Sequence, residues 1–100
     1  MKLTIDNKGT EVLVRLAGEL DTVATVEQAD ELKKIIELAG KQLVIDCEDL
    51  EYISSAGLRF FMQLKRESES RQGNVQLQNL NEDVSEIFRM SGFNNIFTIK

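Results

Sequence analysis

Apolar and polar positions alternate strictly where the chain begins. Leu3 and Ile5 are separated by Lys2, Thr4 and Asp6, the period-two pattern of a half-buried strand. Asn7-Lys8-Gly9 is a turn signal, after which Val12, Val14 and Leu16 alternate with Leu13, Arg15 and Ala17. Two strands joined by so short a connection form an antiparallel hairpin. Beyond Asp21 the period changes. Val26, Ala29, Leu32, Ile36 and Ala39 recur at helical spacing, with Ile35 widening the stripe. Thr25 and Gln28 have capping-box spacing, and Gly40 supplies a stop. Glu27, Asp30, Glu31, Lys33, Lys34 and Glu37 then read as a solvated face.

Leu43, Val44 and Ile45 are a continuous apolar run, the pattern of a strand covered on both faces. The acidic segment Asp46 to Glu51 is expected to stop that strand, and Tyr52 and Ile53 to return the chain to the core. Serine is a preferred N-cap, so Ser54 or Ser55 belongs where a loop meets a helix N-terminus. Projected at about 100° per residue, that helix gathers Gly57, Phe60, Phe61 and Leu64 in one arc, with Leu58 on its edge. Arg59, Gln63, Arg66 and Ser70 fall opposite. Met62 lies off the apolar arc, beside Lys65 and Glu69, and a methionine so placed suits an adaptable protein-binding surface.

Gln72-Gly73-Asn74 ends the helix, and Val75 and Leu77 alternate with polar neighbours as a further strand. Asn81 can cap a third helix whose core side is Val84, Ile87 and Phe88, with Gly92 as its stop. Ile96 to Ile99 is a last short strand or a frayed tail. The order β-β-α-β-α-β-α-β predicts one α/β domain over residues 1–100. Its mixed sheet has an opening antiparallel hairpin and parallel crossovers, with helices packed against the sheet. The residues expected to be buried are Val14, Leu16, Leu32, Ile36, Val44, Ile45, Leu58, Phe61, Ile87 and Phe88.

Composition narrows the function. A chain of 100 residues that is 42% hydrophobic supports one core. A net charge of -5 argues against nucleic-acid phosphates and anionic lipid as partners. No apolar run approaches the roughly 20 residues that span a bilayer, and no signal segment opens the chain, so a cytoplasmic location is expected. Cys47 is the only cysteine, which excludes an internal disulfide, and it reads as a small buried hydrophobe. There is no histidine, which removes the commonest general base and the commonest metal ligand. Ser54-Ser55-Ala56-Gly57-Leu58 lacks the first glycine of a nucleophile elbow, and no glycine-rich loop cradles phosphate. Independent catalysis, a resident cofactor and a metal site are not expected. On residues alone, Asp21 is a helix cap or a solvated loop residue, and the serines need do no more than cap a helix.

The strand followed by Asp49-Leu50-Glu51-Tyr52-Ile53 and Ser54-Ser55-Ala56-Gly57-Leu58 resembles the STAS domain of bacterial anti-sigma factor antagonists. Gly18-Glu19-Leu20-Asp21 is a second match, resembling the segment after the family's second strand. The resemblance implies a non-catalytic binding switch. Unphosphorylated, it binds an anti-sigma factor with serine-kinase activity; that partner uses ATP and magnesium to phosphorylate it at Ser55. The expected partner-binding residues are Asp21, Ser54, Ser55, Ala56, Gly57 and Arg59, with Met62 added from its place on the helix; the resemblance also implies that Asp21 faces Ser55 and helps hold a metal ion or nucleotide during phosphoryl transfer. Two positions depart from the family: Ser54 stands where an acidic residue is usual, and Ala56 where a second hydroxyl is frequent. The alternative is a STAS-type interaction module of another signalling or transport assembly, without phosphorylation.

Overall fold

The computed structural model describes all 100 residues, Met1 to Lys100. Strands β1 (Lys2–Asn7) and β2 (Glu11–Leu20) form the hairpin, in unbroken antiparallel register from Lys2 opposite Ala17 to Asn7 opposite Val12. The turn is closed by Asn7, whose Oδ1 accepts from the Gly9 N–H at 3.0 Å. Two short helices follow, α1 (Thr22–Glu27) and α2 (Ala29–Glu37), then β3 (Gln42–Ile53) and α3 (Ser55–Ser70). The chain ends with β4 (Asn74–Gln78), α4 (Glu82–Ser91), one 3-10 turn at Phe93–Asn95 and β5 (Thr98–Ile99). The five strands lie in the order β1-β2-β3-β4-β5, and every pairing after the hairpin is parallel. This is the mixed α/β sheet that the pattern predicts.

Strands that step one way across a sheet through right-handed crossovers place all their helices on the same face. Burial follows that geometry. Val12, Val14 and Leu16 on β2, Leu43, Ile45 and Cys47 on β3, and Val75 and Leu77 on β4 are fully buried. The residues between them, Leu13, Val44, Asp46, Gln76 and Gln78, are only half-buried, on the open face. The expectation that β3 is covered on both faces is therefore wrong. Val44 pairs with Leu13 and Gln76 on the uncovered side, while Ile45 sits in the core. Val14, Leu16, Leu32, Ile45, Phe61 and Phe88 are buried as expected, and Ile36, Leu58 and Ile87 are half-buried against the core. Phe61 meets Phe88 and Phe97 edge-on at 5.5 and 6.0 Å, so α3, α4 and the C-terminal segment share one aromatic cluster.

Three other expectations need correction. The acidic segment does not end β3, which runs through it to Ile53. Register shifts against β2 between Arg15 and Ala17 and between Gly18 and Glu19 absorb extra residues of β3. Cys47, Leu50 and Ile53 therefore reach the core at intervals of three, while Glu48, Asp49 and Glu51 stay in water and Tyr52 is 46% exposed. The first helix starts at Thr22 instead of beside Thr25, because Asp21 caps it, and it breaks at Gln28. Val26 and Ala29 are consequently exposed, and Thr25 donates its hydroxyl to the Thr22 carbonyl instead of forming a capping box. The second segment ends at Leu38, before Gly40.

Candidate functional site

The C-terminal ends of β2 and β3 lie side by side, with Leu20 opposite Ile53. Each strand runs directly into a helix N-terminus. At the end of β2, Asp21 accepts the Ala24 N–H at 2.8 Å and starts α1. At the end of β3, Ser54 starts α3, its Oγ accepting the Gly57 N–H at 3.2 Å. Ser54 is also tied to β2: its N–H and its hydroxyl both donate to the Leu20 carbonyl, at 2.9 and 3.2 Å. The Ser54 hydroxyl is thus used as donor and as acceptor. Ser55, the first residue of α3, is exposed and its hydroxyl makes no hydrogen bond within the chain.

The glycines of the two motifs have steric causes. A Cβ at Gly57 would lie 2.7 Å from the Leu20 carbonyl oxygen and 2.8 Å from Ile53 Cγ2, so the first turn of α3 can approach the strand ends only without a side chain there. Gly18 has φ +95 at a register shift between β2 and β3, a conformation that L side chains rarely adopt. Both motifs shape one corner.

On α3, Ser55, Arg59, Met62 and Arg66 follow at intervals of four, three and four, which aligns them along the face away from the buried arc. Arg59 is exposed; Met62 is half-buried and lies outside the hydrophobic core cluster. Ala56 and Arg59 also line a groove of about 720 Å³ between α3 and the α1–α2 pair, floored by Leu32, Ile36 and Phe60. Gly57 is buried beneath the corner. Asp21 and Ser54 flank the Leu20 carbonyl and both serve as caps, so the cap reading of Asp21 holds. No group of three or more Asp, Glu or Cys side chains is placed to hold a metal ion.

Sequence reasoning missed Val23 and Val26. They lie three apart on α1 and are 62% and 72% exposed, beside the same corner. Starting the helix at the Asp21 cap would have found them, because that phase turns Ala24 inward and the two valines out. Cys47 is buried as expected, and desolvation pushes its thiol up to about 12 with the nearby Asp46 adding to the effect, so it is not a nucleophile for this site.

A family model described as "Mlab, STAS domain" matches residues 3–99, and the chain belongs to the STAS domain family. An anti-sigma factor antagonist of this family from Bordetella bronchiseptica, named BtrV, is 32% identical over 99 residues, covering 99% of this chain and 85% of that protein. The anti-sigma-B factor antagonist of Bacillus subtilis is 29% identical over 101 residues, covering 99% and 92%. The fold is that of the Bacillus cell-fate determinant SpoIIAA in its phosphorylated form, with a TM-score of 0.72, 22% identity and coverage of 99% and 91%. The named relatives are anti-sigma factor antagonists, a non-catalytic class of regulator.

Proposed function

We propose that this chain is an anti-sigma factor antagonist working as a phosphorylation switch at Ser55. Unphosphorylated, it docks the corner formed by Asp21, Ser54, Ser55, Ala56, Gly57, Arg59 and Met62 on an anti-sigma factor that is also a serine kinase. One observation carries the choice of residue: the Ser54 hydroxyl is committed to Leu20 and Gly57, whereas the Ser55 hydroxyl is exposed and unengaged. In the transfer, Ser55 Oγ forms an ester bond to the γ-phosphorus of ATP held with magnesium by the kinase. The bond to the departing ADP oxygen breaks, and the hydroxyl proton passes to a base of the kinase. The product carries about -1.5 to -2 charges next to unpaired first-turn N–H groups of α3, which tolerate an anion. The fold therefore survives modification, and the partner instead meets new bulk and charge at the centre of its contact. The exposed Val23 and Val26 extend that contact with apolar surface.

A second reading, a STAS-type interaction module without phosphorylation, is favoured by Ser54 standing where the family has an acidic neighbour. Incubation with the cognate kinase, ATP and magnesium, followed by mass-spectrometric site mapping, separates the two. Phosphate is expected on Ser55 in the wild type and in Ser54→Ala, and is not expected on Ser54 in Ser55→Ala, which still binds. Phosphate on Ser54 would overturn the residue assignment. Binding of the active kinase without phosphate transfer would establish the second reading.

A further inference from the structure

The outer edge of β1 is an uncovered strand edge whose only guards are the charges of Lys2 and Asp6. It contains no proline, and its register with β2 runs without a bulge from Lys2 to Asn7. No helix packs extensively on it; the main contacts of β1 are with β2. Lys2, Thr4 and Asp6 point to the open face of the sheet and are exposed, while Leu3 and Ile5 lie on the helix side, half-buried at the rim of the core. We infer that this edge is a self-association surface, on which β1 of a second copy pairs antiparallel to give one continuous sheet through two molecules.

The pattern Lys2-Leu3-Thr4-Ile5-Asp6 is complementary to itself when reversed. A two-fold axis at Thr4 sets Lys2 against Asp6 of the second copy, Leu3 against Ile5, and Thr4 against itself. Directly opposed residues of an antiparallel pair share a face, so the helix layers of both copies stay on one side. The apolar rims then meet across the seam, and two opposite-charge pairs form on the open face. Sliding by two residues either way leaves both charges without partners, so the charges select the register. Asp6 is free for this role: its contact with Lys8, at 3.9 Å between two side chains more than half exposed, is a weak surface pair. The isologous geometry closes at two copies, and a strand-only seam buries too little surface for a permanent dimer, so association is reversible. β3 is the third strand from this edge, which leaves Ser55 open in each copy. Pairing of the two β1 strands does not depend on phosphorylation.

Sedimentation velocity of the full chain across a concentration series, with any affinity tag at the C-terminus, tests it. The sedimentation coefficient is expected to rise with concentration from monomer towards dimer. Lys2→Asp sets aspartates against each other in both symmetric pairs and should weaken association by about tenfold or more. Asp6→Lys should do the same with lysines, and the double exchange Lys2→Asp with Asp6→Lys should restore dimerisation. Unchanged thermal melting at low concentration confirms that the variants fold. A wild type that stays monomeric at millimolar concentration would overturn the inference, as would dimerisation indifferent to the exchanges.

Discussion

Of two adjacent serines, one has its hydroxyl engaged and the other has it free. Ser54 is structural: it caps α3 and fastens the helix to the end of β2 through the Leu20 carbonyl. That a serine here would cap a helix was legible from Ser54-Ser55-Ala56-Gly57-Leu58. Which serine caps was not, because the deciding partner, Leu20, lies 34 positions away in the chain. Gly57 was legible as part of a motif, but its cause is tertiary. Gly57→Ala should lower stability by about 1–3 kcal/mol in urea denaturation, because the opposing Leu20 carbonyl is backbone and cannot swing aside. An alanine variant as stable as the wild type would show that the first turn of α3 can shift away from the strand end.

At the scale of elements, α3 was the most legible. Its periodicity places Gly57, Phe60, Phe61 and Leu64 inward and Arg59 outward, and the structure agrees. The α1–α2 segment was less so. Two phases were compatible with its apolar residues, and the Asp21 cap together with the break at Gln28 selects the one that leaves Val26 in water. The acidic run hides the length of β3, because carboxylates usually mark turns. Here bulges keep Glu48, Asp49 and Glu51 in water while Cys47, Leu50 and Ile53 reach the core. Met62 belongs to this scale, since its role follows from its place on α3. On the proposed docking face, Met62→Lys should change stability by less than about 0.5 kcal/mol while weakening capture of the proposed kinase partner. Parallel thermal melts and binding titrations check this; a fall in melting temperature of more than about 5 °C would put Met62 in the core instead.

The whole molecule is a two-layer structure, one sheet and one layer of helices, with an open sheet face. Layering makes neighbours on one strand unequal. Ile45→Ala should cost about 2–5 kcal/mol, whereas Val44→Thr, on the open face, should stay within about 0.5 kcal/mol. Denaturant midpoints of the two variants give the comparison directly, and equal losses would mean that both faces of β3 are covered.

What the sequence determined by itself was local: the periods of strands and helices, the hairpin turn, caps such as Asn81, the absence of histidine, and the two motifs around Asp21 and Ser54-Ser55. These depend on residues near one another in the chain, where backbone geometry dictates which side chains share a face. Tertiary structure decided which face of the sheet is covered, where β3 ends, which serine is left free and why Gly57 has no side chain. Each of these depends on distant segments meeting, and the direction in which the crossovers step across the sheet settles which segments meet.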